Sequence, residues 1–226
     1  MPDTMPGPSH PVSRRRFVAY ATALSGLAFL SNSCKPDEDA PQPDGRIPLG
    51  ADDIGALNYL CAFEQLEVAF FAKLNAAPYT GISTHEQAWL LAMGNHDQAH
   101  AAALEAALGN GAISTLEFNF SSIDFNSRDA VLHVARDLKD LAVAAYNGIG
   151  VYFRDAGWLG LSAKMESVEA RHASVLRELI TAGSFADTSV LNPVSRIDNA
   201  QTPQQVLDAS KKFFVKELNA DLLKTA

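Results

Sequence analysis

Two pairs of ionisable residues stand three positions apart in this chain, inside otherwise apolar stretches of helical period. They are Asp97 with His100 and Glu169 with His172. Residues three apart share one face of a helix, so each pair turns a carboxylate and an imidazole toward a core. A buried charge is costly unless it is paired or bound to a metal. Such pairs on the inward faces of a four-helix bundle build carboxylate-bridged dimetal sites.

Two further apolar stretches are also interrupted near their middle by ionisable groups. Glu64 and Glu67 occupy the first stretch of the chain, and Lys139 is the inward polar residue of the third. Ionisable residues near the middle of all four apolar stretches are much less frequent by chance than a single such motif. The pattern therefore indicates one site shared among four helices. The predicted helices run from about Asp52 to Asn75, Thr84 to Leu108, Arg128 to Asp155 and Leu161 to Ala182.

The connections between these stretches predict an all-α fold. The second and third helices are separated by Asn110–Asn126, which is long enough to travel the length of a bundle, whereas the other joints suit antiparallel neighbours. The aromatic residues of this crossover are expected to pack against the outside of the bundle. Thr202-Pro203-Gln204-Gln205 is a capping box that opens a short fifth helix through Phe214.

Composition is that of one globular domain. The chain has 226 residues, of which 47% are hydrophobic and 19% are charged, and its formal net charge is −8. An acidic balance argues against nucleic acid as a partner.

The first 34 residues are predicted to be a targeting segment rather than part of the fold. Ser13 to Val18 reads SRRRFV, which resembles the twin-arginine export signal, and a modest apolar run follows to Leu30. That run is too short to span a bilayer as a mature helix. The sequence therefore predicts export to the cell envelope.

Cys34 ends this segment in a setting that resembles a loose bacterial lipoprotein box. Lipidation of Cys34 would anchor the protein to a membrane, in the outer membrane or facing the periplasm. The alternative is ordinary peptidase cleavage near Ser33. Residues 35–50 are rich in proline and acidic residues and predict a flexible tether, followed by a folded domain over residues 51–226.

Several segments together resemble the ferritin-like superfamily, and more closely its exported branch of desiccation-related proteins. They are LCAFEQLEVAFF at 60–71, Asp97–His100, AVAAYNG at 142–148, VEARHA at 168–173 and TPQQVL at 202–207. The resemblance implies a four-helix bundle that holds one or two iron or manganese ions. Its ligand pattern falls on Glu64, Asp97, His100, Glu169 and His172, with Lys139 where the family has a Glu.

Lys139 is the departure from that pattern, because a protonated lysine has no lone pair with which to bind a cation. Three outcomes are open. Lys139 forms a buried ion pair with Glu64, Glu67 or Glu169 and replaces the metals altogether. The site holds a single metal on Asp97, His100, Glu169 and His172. Or Asp140, the neighbouring carboxylate, reaches into the site, although it points about 100° away around the helix.

Two other residues have alternative roles. His96 and His100 are one turn apart, so they form either a histidine pair for a transition metal or an exposed His96 beside a buried His100. Tyr146 acts on the site as a redox or hydrogen-bonding group, or is simply a core tyrosine. We find no nucleophile elbow, P-loop or Cys-x-x-Cys motif, so hydrolase, nucleotide-binding and structural-zinc functions lack support.

Two functional hypotheses follow. The first is an exported metal-binding protein with a degenerate site, for which the resemblance implies oxygen or peroxide chemistry. The second is a non-catalytic bundle that keeps its buried charges as an ion-pair network and serves in envelope binding or stress protection. Lys139 favours the second hypothesis, and the five ligand-type residues favour the first.

Export and anchoring should depend on separate residues. Replacing Arg14 and Arg15 with Lys should leave the protein in the cytoplasm, because the export signal is lost. Cys34→Ala should leave the protein exported but no longer attached to membranes. Membrane fractionation of wild type and both variants checks this. A Cys34→Ala protein that still sediments with membranes would contradict the prediction of a lipid anchor at Cys34.

Overall fold

The computed structural model describes residues 44–225, which form an all-α bundle with one two-residue strand at each end. The targeting segment and Cys34 lie outside the described residues. Within residues 44–225, no helix has the length and apolarity needed to cross a bilayer. The elements in chain order are β1 Ile47–Pro48, α1 Asp52–Ala76, α2 Thr84–Leu108, α3 Arg128–Ile149, α4 Ala156–Ile180, α5 Pro203–Ser210 and β2 Leu218–Asn219, with 3-10 turns at Gly109–Gly111, Gly150–Tyr152 and Lys211–Phe213.

Side-chain caps set the helix starts. Ser83 accepts a hydrogen bond from the backbone of Glu86, and Ser127 accepts one from that of Ala130. Ser83 and Glu86 make only half of a capping box, because the Glu86 carboxylate contacts Tyr79 and Arg128 instead. The box at Thr202 is complete.

The boundary between α3 and α4 differs from the prediction, which extended α3 to Asp155 and began α4 near Leu161. Asp155 instead caps α4, and its carboxylate accepts the backbone N–H groups of Gly157 and Trp158 at 2.7 and 3.1 Å. The apolar pattern ran continuously across the turn, since Phe153 and Trp158 both pack against the core. Periodicity alone therefore did not reveal the break.

The bundle is made of two helix pairs, α1 with α2 and α3 with α4, joined by the predicted long crossover. The short connections within each pair force antiparallel neighbours. The crossover does not run as a loose loop. It pairs with the C-terminal segment through a bridge between Phe118 and Phe214, where Asn119 N donates to Phe213 O at 2.8 Å. Phe120 packs edge-on against Phe70 of α1, as the prediction required.

The segment before α1 is part of the folded domain. Ile47 and Pro48 pair in parallel with Leu218 and Asn219, and Leu49 is completely buried. The prediction of a flexible tether through residue 50 therefore does not hold for residues 47–49. These apolar residues were hidden in a proline-rich context, and their partner strand lies about 170 residues later in the chain.

Helix α1 is the centre of the fold. It is buried on nearly all sides from Gly55 to Leu74, because α2, α3, the crossover and the C-terminal segment cover it together. Asn58 and Gln65 tie the crossover to it: Asn58 Oδ1 accepts from Ile113 N and Gln65 Oε1 accepts from Leu116 N, both at 2.9 Å. Any carboxylate in the middle of α1 is consequently removed from water.

Gly148 should be required for the close approach of the chain before α5. Gln201 N donates to Ala144 O at 3.0 Å, and a Cβ on Gly148 would lie only 1.7 Å from Gln201 O. Gly148→Ala should therefore destabilise the fold by about 1–3 kcal/mol through overpacking. Gly160→Ala, where a Cβ meets nothing within 4 Å, should be neutral or stabilise by about 0.5–1 kcal/mol. Urea unfolding of both variants decides this, and equal effects would contradict the contact.

Candidate metal centre

Every helix of the bundle contributes ionisable side chains to one cluster at its centre. Glu64 and Glu67 come from α1, Asp97 and His100 from α2, Lys139 and Tyr146 from α3, and Glu169 and His172 from α4. All are buried except His100, whose side chain is 12% exposed. The helical spacing that predicted these inward faces is thus the spacing that brings the groups together.

Lys139 occupies one side of this cluster. Its ammonium donates hydrogen bonds to Asp97 Oδ1 and Glu169 Oε2, each at 2.6 Å. Glu67 Oε2 lies 3.2 Å from the same nitrogen, as a charge contact without hydrogen-bond geometry. The predicted ion pair of Lys139 therefore forms with Glu67 and Glu169, and with Asp97 in place of Glu64.

His100 occupies the other side. Its Nδ1 lies 3.2 Å from Glu64 Oε1 and 3.1 Å from Glu169 Oε1. Tyr146 donates its hydroxyl proton to Glu64 Oε1 at 2.5 Å, which is a hydrogen-bonding role toward the site. Glu169 is the shared group, since one of its oxygens faces Lys139 and the other faces His100.

The His100 side has donor atoms suited to a cation. One ligand atom each from Glu64, Asp97, His100 and Glu169 lies within 4.8 Å of all the others. Buried oxygens without a hydrogen bond of good geometry include Glu64 Oε2, Asp97 Oδ2 and Glu169 Oε1. Buried oxygens are rarely left unpaired, so these atoms point to a partner such as a metal ion. The residues therefore fit one ion on this side, and the ammonium of Lys139 occupies the other side of the cluster.

Charge balance leads to the same conclusion. Four carboxylates face the two cations Lys139 and His100, which leaves a formal charge of −2 when all are ionised. Burial raises the pKa of Asp97 to about 7, against the opposing effect of Lys139. Burial also raises the pKa of Glu64 and Glu67. In the absence of a divalent cation, protons on these carboxyl groups must supply the missing positive charge.

Besides Lys139, two groups of the cluster stay charged despite burial, Glu169 and His100. Burial opposes ionisation of Glu169, but Lys139, His100 and His172 together hold its pKa well below its ordinary value. Burial also disfavours the cation of His100, yet Glu169 and Glu64 outweigh it and raise the pKa of His100 to about 9. His100 is therefore a cation at neutral pH.

His172 faces the cluster through its Nδ1 alone, which is buried and has no hydrogen bond of good geometry. Its Nδ1 lies 3.5 Å from Glu169 Oε2 and 3.9 Å from Asp97 Oδ1, on the side that Lys139 fills. Its Nε2 lies 2.9 Å from His96 Nδ1, so one imidazole donates a proton to the other. Burial lowers the pKa of His172, which keeps it neutral. Among the five predicted ligands, His172 is the one that the compact donor set omits.

The alternative of an exposed His96 is confirmed, whereas a histidine pair of His96 with His100 and an inward Asp140 are wrong. His96 does not pair with His100, although the two are one turn apart; it is exposed and contacts His172 across the gap between α2 and α4. Asp140 does not reach into the cluster. Both of its oxygens accept from Arg177, with Nε at 2.9 Å and Nη2 at 2.5 Å, on the outer side of α3.

The sequence offered no signal for two contacts of the site. The partnership of His96 with His172 depends on the separation of two helices, which periodicity does not specify. The ring of Phe71 also lies 5.4 Å from the ammonium of Lys139, where its face favours a cation.

Comparison with known families agrees with this geometry. The family model of the ferritin-like domain matches residues 52–182, more than half of the chain, and the chain therefore belongs to the ferritin-like family. The match spans the four long helices and every residue of the cluster. No curated protein matches the chain.

The cation at His100 should make stability depend on alkaline pH. The pKa of His100 is raised in the folded protein above its value of 6.5 in the unfolded chain. The cation therefore stabilises the fold fully below pH 6.5, and this stabilisation is lost as pH rises through about 9. The change in the pKa of His100 corresponds to about 3 kcal/mol, and solvent screening at this partly exposed ring reduces the expected loss of unfolding free energy between pH 6 and pH 10 to about 2 kcal/mol in metal-free protein. Urea unfolding at both pH values, with chelator, measures the loss.

The His100→Gln variant is the comparison for that measurement. The glutamine can still donate one hydrogen bond but does not titrate. Because the variant lacks the titrating group, its loss of unfolding free energy between pH 6 and pH 10 should be smaller than that of wild type by the contribution of His100. An identical pH dependence in both proteins would show that His100 is not the buried cation.

Proposed function

We propose that this protein is an exported ferritin-like protein that binds one iron or manganese ion per chain. The observation that carries the proposal is the division of the cluster into two sides. Lys139 fills one side with its ammonium, while Glu64, Asp97, His100 and Glu169 leave a compact donor set on the other.

The donor set suits this class of metal. Three carboxylates and one imidazole are ligands that iron and manganese accept, and a site without thiolate does not select soft metals. When bound, the ion would supply redox chemistry toward oxygen or peroxide, which is the reaction that the family implies. His100 must release its proton to offer Nδ1, so metal uptake is coupled to proton release.

The residues around the donor set have positioning roles. Tyr146 holds Glu64 through its hydroxyl group. Lys139 holds one oxygen each of Asp97 and Glu169 and leaves the other oxygen of each free of hydrogen bonds. Such outer contacts orient ligands and tune their basicity.

The place of action is part of the proposal. The twin-arginine-like segment at residues 13–18 supports export of a folded protein, and Cys34 supports a lipid anchor at the cell envelope. The resemblance of residues 60–71 and 168–173 to the desiccation-related branch supports a role in stress protection. A tethered single-metal protein suits local chemistry at the envelope better than bulk iron storage.

A metal-free bundle is the second candidate, and one observation favours it. Lys139 already lies against Glu67, Asp97 and Glu169, and the raised pKa values of Glu64 and Asp97 allow protons to neutralise the rest. In that case the cluster is an internal ion-pair network, and the protein acts through its surface in the envelope rather than through a metal.

Metal content should separate the two candidates. Wild-type protein purified without chelator and reloaded with iron(II) or manganese(II) should hold one ion per chain, and chelator should lower its melting temperature through linkage between binding and folding. His100→Ala should lose the ion, because it removes the imidazole of the donor set. Lys139→Glu should raise the content toward two ions, because it exchanges the ammonium for a carboxylate.

Two variants serve as controls for elemental analysis and melting. His133→Ala removes an exposed imidazole elsewhere on α3 and should keep one ion. His172→Ala should also keep the ion, since its imidazole lies on the Lys139 side. Wild-type protein without metal would contradict the metal site and support the metal-free bundle. Wild-type protein with two ions would show that Lys139 does not exclude a second ion.

A further inference from the structure

A groove of about 380 Å³ runs between α2 and α4 and connects solvent with the central cluster. Its walls are mostly apolar, with Trp89 and Met93 on one side and Val168 on the other. His100 lines the end of the groove nearest the cluster. The volume is that of a small-molecule site rather than a protein-docking surface.

Flat ring systems line this groove. The imidazole planes of His96 and His172 are only 5° apart, and their centroids are 5.2 Å apart while the two bonded nitrogens are 2.9 Å apart. The rings therefore lie edge to edge and present one extended flat surface. Trp89 adds an indole side chain that is 48% exposed. Such surfaces favour a planar aromatic guest.

The charge of the groove is unusual for this chain. The formal net charge of the protein is −8, yet none of the described residues that line the groove is an aspartate or a glutamate. Its one guanidinium belongs to Arg171, and within residues 44–225 the only hydrogen bond of this side chain runs from Nη1 to Ser167 Oγ at 3.4 Å. No carboxylate within the described residues 44–225 forms an ion pair with Arg171. The positive charge at the rim is therefore available to an anion.

We infer that this groove is a binding site for a small aromatic carboxylate. The aromatic ring lies between Trp89 and the flat surface of His96 and His172, and the carboxylate faces Arg171. This orientation is the one that electrostatics permits. The cluster below the groove carries four carboxylates, so an anionic group must lie at the outer end, away from Glu169.

Benzoate titration of the full-length Trp158→Phe protein tests this site, since Trp89 is then the only tryptophan. Saturable change of Trp89 fluorescence is expected. Cyclohexanecarboxylate, whose ring is saturated rather than aromatic, should bind several-fold more weakly, and so should benzyl alcohol, which lacks the charge. Val168→Phe, which fills the groove, should abolish the binding of all three.

Matched charge variants locate the carboxylate. Arg171→Gln should weaken benzoate by about two- to fivefold, the range of an exposed ion pair, and leave benzyl alcohol unchanged. Arg154→Gln makes the same charge change at an exposed residue outside the groove, which pairs with Asp52, and should have no effect. Heteronuclear NMR shifts at Met93 and Val168 would place the ring independently of fluorescence.

Three outcomes would overturn the inference. They are no saturable binding, equal affinity for benzoate and cyclohexanecarboxylate, or equal weakening by Arg171→Gln and Arg154→Gln. The titration is made in chelator, because the groove and its charge exist without an ion. Failure of metal binding therefore leaves this inference intact, and failure of benzoate binding leaves the metal proposal intact.

Discussion

The contact between the Lys139 ammonium and three carboxylates is the interaction on which the rest of this structure depends. Four carboxylates from three helices converge in a core that excludes water. Their mutual repulsion would separate the helices without a cation among them. Breaking a buried pair of this kind typically costs about 3–5 kcal/mol, because the partner remains buried without its counter-charge. Because the ammonium of Lys139 is covalently attached to the chain, it offsets the repulsion among the carboxylates whether or not metal is present.

That permanence makes the site asymmetric. A lysine that is held by Asp97 and Glu169 can neither leave nor exchange, so its side of the cluster is structural. The other side keeps His100 and free carboxylate oxygens, where a proton or a metal ion can provide charge. The fold thus separates stabilisation from binding within one cluster. A site in which metal supplied all the cations would instead link folding directly to metal supply.

The same asymmetry explains the neighbourhood of His172. With Lys139 beside it, this imidazole is not drawn into the compact donor set, and its outer nitrogen bonds to His96. The pair lies where α2 and α4 leave a groove, while the α1 side is covered by the crossover and the C-terminal segment. The groove therefore reaches two members of the cluster, His100 and His172, and none of the described residues that line it is acidic.

Helical periodicity by itself determined which residues face inward, because a 3.6-residue repeat assigns each side chain to a face. It placed Glu64, Asp97, Lys139 and Glu169 in one core, and loop length determined the crossover. Depth and pairing across helices were decided only by the tertiary structure, because they depend on how far apart the helices pack. That is why Lys139 selects Asp97 rather than Glu64, why His96 reaches His172, and why residues 47–49 join a strand at the far end of the chain.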